Sequence, residues 1–152
     1  MLLPVPKTNA MLICDYVITE RGTNKKSLIG VFENIGATTF PCTHFAMSVY
    51  VKLTDAQGTY RFRLDLVDLK EDKTVGQSEI PNDVQVPSPL VAHELVFNLR
   101  GVRFAHPGEY EFRIFANGSI FGQKKFVVER AVRKGPDGSP DFERPPQDGG
   151  GV

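Results

Sequence analysis

The 152-residue chain has no tryptophan and only two cysteines, Cys14 and Cys42, and its 18 basic side chains are matched by 18 acidic ones. Each shortage excludes something. Two cysteines are too few for a disulfide framework, so an ordinary apolar core must hold the fold. Without tryptophan, the Cys-Trp-Cys hallmark of antibody domains is impossible. A net charge of zero lacks the basic excess with which nucleic-acid binders neutralise phosphates, so no nucleic-acid partner is expected. No apolar run approaches the roughly 18 residues of a membrane helix, because even the stretch after Ala10 soon meets Asp15. The segment Met1 to Lys7 has neither the basic region nor the unbroken apolar stretch of a secretory signal, so a cytoplasmic location is expected.

Reactive motifs are missing too. The chain contains no G-x-S-x-G, no P-loop, no G-x-G-x-x-G and no H-E-x-x-H. Catalytic residues can assemble in space without a motif, but nothing assigns one here. Cys42-Thr43-His44, even with Cys14 nearby, supplies only one close pair where structural zinc needs two. Cys14 reads instead as a small buried hydrophobe, and no metal ligand or cofactor is assigned. The acidic loop Asp68 to Asp72, with Asp55 or Asn82-Asp83 as further candidate ligands, is of the kind that C2-type sandwiches use to hold calcium. Lys70 and Lys73 oppose a cation there. Asn117-Gly118-Ser119 has the form of a glycosylation sequon, but turn chemistry already accounts for Asn117 and Gly118.

What the sequence has is 41% apolar residues arranged with a period of two and punctuated every eight to twelve residues or so. That pattern predicts an all-β, two-sheet antiparallel sandwich of seven or eight strands, immunoglobulin-like or C2-like, spanning residues 10–131. Residues 1–9 form an extension with two prolines. From 132 onward the chain is dense in glycine, proline and mixed charge, which predicts a disordered tail with Phe142 as its one bulky docking point.

Two strands alternate cleanly. In His44 to Leu53, Phe45, Met47, Val49, Val51 and Leu53 face inward; in Tyr60 to Val67, Tyr60, Phe62, Leu64 and Leu66 do. Joining them as a hairpin pairs Leu53 with Tyr60 and Val51 with Phe62. On the wet face the same register sets Lys52 opposite Arg61, and Tyr50 opposite Arg63 in a cation-π pair. Like charges directly opposite are destabilising, so Tyr50, Lys52, Arg61 and Arg63 are the candidate binding residues, for an acidic or aromatic partner. Farther on, Asn117-Gly118 signals a type I′ hairpin. Direct pairing from that turn would set Tyr110 opposite Lys125, although Phe126 belongs in the core. A bulge at Gly122-Gln123 is therefore predicted, which restores Phe126 to the inside.

Leu12 to Asp15 (LICD), Ser27 to Ile35 (SLIGVFENI), Thr39-Phe40-Pro41 with His44, Phe62 to Asp68 (FRLDLVD) and Phe104 to Phe112 (FAHPGEYEF) stand in order and at suitable spacings. In these blocks the chain resembles an uncharacterised bacterial family, domain of unknown function 6941, over roughly residues 10–129. Asn117 stands where that family more often has Asp. The resemblance implies one small β-sandwich and brings no activity, substrate, cofactor or site residue. The function expected from these readings is a non-catalytic cytoplasmic module that binds a protein or peptide through a sheet face or an edge strand. The alternatives are a calcium- or anion-dependent membrane-surface domain of C2 type, or an enzyme with an unrecognised site.

Overall fold

The computed structural model describes residues 2–133 and 140–141; most of the predicted tail, including Phe142, lies outside the described residues. The chain forms β1 (Lys7–Thr19), β2 (Lys26–Val31), β3 (Asn34–Ala37), β4 (Cys42–Thr54), β5 (Gly58–Tyr60), β6 (Phe62–Asp68), β7 (Lys73–Glu79), β8 (Val84–Val86), β9 (His93–Phe104), β10 (Gly108–Ala116), β11 (Ser119–Arg130), β12 (Val132–Arg133) and β13 (Pro140–Asp141). Among the described residues there is no helix, and hence none long and apolar enough to cross a membrane.

Two sheets make the sandwich, with strand orders β2-β1-β4-β9 and β3-β11-β10-β6-β7. These hold nine strands rather than seven or eight, since one predicted strand, Ser27 to Asn34, is divided between the sheets. The Phe32 amide donates to the Ile13 carbonyl on β1 (3.0 Å), while the Glu33 carbonyl accepts from the Val127 amide on β11 (3.0 Å). Consecutive residues thus bond to different sheets, and the chain covalently closes that flank. β3 then runs parallel to β11, the one departure from antiparallel pairing in the two main sheets.

The predicted hairpin between His44–Leu53 and Tyr60–Val67 does not form. β4 pairs with β1 and β9, and β6 pairs with β10 and β7. Both inward rows are real: Met47, Val49, Val51 and Leu53 on one side and Tyr60, Phe62, Leu64 and Leu66 on the other are buried in one core. They meet face to face across the interior rather than side by side along a ladder, which satisfies the same period-two pattern.

One inward assignment on β4 fails. Phe45 is 79% exposed, whereas His44, read as outward, is half-buried. The cause sits on the neighbouring strand, where Gly101 has φ +62. Met47 pairs with Leu99 on one side of this point, and His44 with Val102 and Cys42 with Phe104 on the other. Met47 and Phe104 are both buried, although their strands have changed phase between them. A left-handed glycine lets both strands turn over together without slipping register.

The last hairpin follows its turn chemistry. Asn117 (φ 49) and Gly118 (φ 85) form the two-residue turn between Ala116 and Ser119. The register then shifts so that Ile114 faces Gly122 and Tyr110 faces Phe126. The predicted correction is present, and the extra residue is Phe121, just before the expected glycine. Its carbonyl accepts a hydrogen bond from Thr8 Oγ1 (2.7 Å). A side chain at Gly122 would place Cβ 2.5 Å from Thr8 Oγ1 and 3.0 Å from Ile114 Cγ2. The N-terminal residues are anchored as well: β1 begins at Lys7 rather than Ala10, and Tyr60 Oη donates to the Pro4 carbonyl (2.6 Å).

Gly122→Ala should therefore destabilise the fold by about 1–3 kcal/mol, because bond-forming Thr8 and core-facing Ile114 both have to move. Thr8→Val, which leaves the Phe121 carbonyl without its donor, should also cost about 1–3 kcal/mol. Denaturant titration of each variant checks both values, and an unchanged midpoint for either would contradict the packing of β1 on the bulge.

Candidate functional site

The four residues expected to form one surface are divided between two. Tyr50 and Lys52 lie on β4 in one sheet, and Arg61 and Arg63 lie beside or on β6 in the other. The outward sides of these strands face opposite directions, so the proposed Lys52–Arg61 and Tyr50–Arg63 pairs do not exist. Each group has partners of its own. Tyr50 Oη donates to the Glu94 carboxylate, and Lys52 faces Glu94 across the β4–β9 ladder. Burial, reinforced by Glu94, pushes the Tyr50 hydroxyl well above the usual tyrosine range. Arg61 makes a 3.4 Å ion pair with Asp83, and its backbone is clamped by Asn117, whose Oδ1 accepts from the Arg61 amide (2.8 Å). Arg63 Nε donates to Asp65 Oδ1 (2.8 Å) while its guanidinium lies 4.2 Å from the centroid of the Phe115 ring. The cation-π contact expected of Arg63 is present with a different ring. Pairs such as Arg113–Glu111 (2.7 Å) continue this neutralised pattern across the outer face of the second sheet.

An open polar hollow of about 480 Å³ lies beside Tyr50, Lys52 and Glu94, with Lys25 and Lys26 on its rim; a groove with an apolar floor lies elsewhere, along the flank opposite the β2–β3 crossing. There β9 and β7 are the edges of their sheets, each paired on one side only. The connection from β7 to β9 leaves around one end of the sandwich, where β8 pairs with β5, and does not cover the gap between them. A groove of about 400 Å³ results. Leu64, Leu66, Leu99 and Phe112 form its apolar floor, β7 from Val75 to Ser78 forms one wall, and β9 from Asn98 to Val102 forms the other. Arg100 and Arg103 stand on its rim, exposed, and neither has an ion-pair partner among the described residues.

A polar cavity of about 290 Å³ continues the groove at the other end and shares Val75 and Arg103 with it. It contains His106 and Asp68, which lie where the β9–β10 connection crosses the end of β6. His106 Nε2 is 2.6 Å from Asp68 Oδ2, and Nδ1 is 2.7 Å from the Pro107 carbonyl. Both partners accept when Asp68 is ionised, so a protonated ring can donate from both nitrogens at once. The Pro107 carbonyl, then Asp68, raise the His106 pKa against a lowering by burial. Burial tends to raise that of Asp68, but the amide N–H groups of Glu71 and Lys70 and the His106 cation outweigh it and hold it below the usual carboxylate range. Asp68 is thus committed to its own loop and to His106. Among the described residues no group of three or more His, Cys, Asp or Glu could hold a metal ion.

A family model matches residues 9–129. The chain belongs to DUF6941, a family of unknown function. No curated protein matches this DUF6941 chain. Among solved structures it is similar to the Pseudomonas fluorescens alkylpurine DNA glycosylase AlkC, bound to DNA containing an abasic site analog, with 10% identity and a TM-score of 0.49 over 82% of this chain and 30% of that one. It is also similar to a β-glucosidase from Listeria innocua, with 10% identity and a TM-score of 0.45 over 84% of this chain and 16% of that one. The chain spans less than a third of either protein, and neither likeness carries an argument about function.

The DUF6941 blocks do gather in space. Asp68, from the FRLDLVD block, meets His106 and Tyr110 from FAHPGEYEF, and Tyr110 Oη donates to the His106 carbonyl (2.7 Å). The registers place Asp15 and His44 at this same end of the sandwich. No spacing rule could have found the Asp68–His106 contact, because Asp68 ends β6 and His106 sits in the β9–β10 connection, and only the final topology brings the two together.

The His106–Asp68 pair makes stability depend on pH from both sides. His106 has a raised folded pKa, so its contribution is complete below the unfolded value near 6.5 and is lost as pH rises through the folded one. Asp68 has a lowered folded pKa, so its contribution is present above the unfolded value near 3.8 and is lost as pH falls through the folded one. The stability gap between wild type and His106→Gln should therefore be widest between about pH 4 and 6.5 and shrink toward alkaline pH. Melting curves of both proteins across pH 4–9 test this, and a gap that does not change with pH would contradict the ion pair.

Proposed function

We propose that this protein is a non-catalytic cytoplasmic interaction module that binds an extended peptide or protein segment at the open flank between β7 and β9. One observation carries the reading: two strand edges, unpaired among the described residues, border a groove of about 400 Å³ with an apolar floor, whose rim carries Arg100 and Arg103 with no acidic partner among the described residues. A strand edge offers a row of backbone donors and acceptors that another chain can complete. Backbone pairing would supply affinity, and apolar side chains entering the groove at every second position would supply register. The unpaired arginines favour acidic residues at the intervening positions. The two cysteines are free thiols, in keeping with a reducing compartment.

The sheet-face version of this reading has less support. Tyr50 with Lys52 and Arg61 with Arg63 could serve only as two separate surfaces; Tyr50 is committed to Glu94, and Asp83 and Asp65 answer the charges of Arg61 and Arg63.

Selection of displayed random peptides on the purified protein tests the proposal. The enriched sequences should alternate apolar and acidic residues. Arg100→Glu with Arg103→Glu should weaken their binding by about tenfold or more while the melting curve stays near wild type. Val75→Asp, on the opposite wall, should act in the same direction. Binders that tolerate all three substitutions would place recognition away from this flank.

A further inference from the structure

On the other flank, where the chain crosses between sheets, a second cavity of about 330 Å³ is lined by Asp15, Gly30, Phe32, Asn34, Ile35 and His44, among others. These residues come from three of the sequence blocks that mark the chain as a DUF6941 member, and the peptide-binding reading uses none of them. We propose that this cavity binds the guanidinium group of an arginine side chain presented by a partner.

The carboxylate is placed rather than left to wander. Asp15 lies over Gly30 so closely that a Cβ there would come within 2.3 Å of Asp15 Oδ2, and Gly30 has φ +70. A side chain at position 30 would push the carboxylate away as well as strain the backbone. Among the described residues no cation pairs with Asp15, so its charge is unanswered. Beside it the Phe32 and His44 rings stand 5.8 Å apart at 52°, forming an aromatic wall. Burial is the largest influence on His44 and lowers its pKa, which leaves the ring neutral at pH 7 and the cavity with a net negative charge.

A carboxylate fixed beside aromatic faces suits one cation in particular. Guanidinium is planar, donates to a carboxylate through two parallel N–H groups, stacks on rings and is weakly hydrated. A lysine ammonium is a compact, strongly hydrated point charge: it can donate to the carboxylate and approach a ring, but it has neither the planar fork nor the weak hydration. The cavity shares no lining residue with the β7–β9 groove, although its His44 pairs with Val102 of the groove wall, and the proposal does not rest on the peptide-binding reading.

The test is a titration of the ¹⁵N-labelled protein with N-acetyl-arginine amide, followed by backbone amide shifts in NMR spectra. Saturable shifts confined to residues around Asp15, Gly30, Phe32 and His44 are expected. The uncharged citrulline analogue and the lysine analogue should each bind at least about tenfold more weakly. Asp15→Asn, an exposed substitution whose fold is checked by its melting curve, should lose the response to arginine to the same degree. The ligand comparison on the wild-type protein decides the matter even where a variant misfolds. Shifts that do not saturate or spread over the surface, equal responses to arginine and citrulline, a lysine analogue that binds as well as arginine, or full binding by a folded Asp15→Asn protein would each overturn the proposal.

Discussion

Two rows of side chains buried against each other across the interior constrain everything else in this molecule. Met47, Val49, Val51 and Leu53 on β4 and Phe62, Leu64 and Leu66 on β6 have to leave water together, and they do so from separate sheets. At one end the aromatic rings of Phe104, Tyr110, Phe112 and Phe126 fill the same layer, with neighbouring centroids 4.9 to 5.9 Å apart. Geometry of this kind adds about 0.5–1.5 kcal/mol per pair beyond the area buried. Once the rows are fixed, the outward residues are fixed as well, and so are the two flanks on which any partner must dock.

The period-two pattern made the strands and their faces legible, but not the neighbours. Alternation says which side of a strand is apolar, and a hairpin partner or an opposing sheet satisfies it equally well. The loop between Leu53 and Tyr60 is short enough for a hairpin, yet the chain uses it to change sheets, and the Lys52–Arg61 clash that marked a binding surface disappears with that change. The final hairpin was readable because its evidence is local. Asn117-Gly118 sets the turn, and the parity of Tyr110 against Phe126 demands one extra residue. Phe45 was unreadable for the opposite reason. Its exposure depends on Gly101, a residue more than fifty positions away whose positive φ turns over both strands.

The candidate sites were less legible than the fold. Both require residues that only topology unites: Leu64, Val75 and Arg100 in the groove, and Asp15, Phe32 and His44 in the smaller cavity. The expectation of an exposed edge was sound in general terms, since open sandwiches have edges, but composition could not say which edges would be left uncovered. That depended on where the chain crosses between sheets. The crossing at Phe32 and Glu33 seals one flank. The β7–β9 connection passes around the end, so the other flank stays open.

The two flanks therefore have different physical characters. On the open flank recognition would be dominated by backbone, an arrangement tolerant of sequence and suited to segments that become ordered on binding. Side chains surround the closed flank, and a single carboxylate held over a glycine reads charge and planarity instead. The His106–Asp68 pair belongs with the first of these. It ties the β9–β10 crossing to the end of β6, and so holds β9 and the β6–β7 loop at a fixed separation where the groove ends. Losing that tie would let the walls of the groove move relative to each other. The pair thus fastens the connection between the two sheets to the cavity that continues the groove.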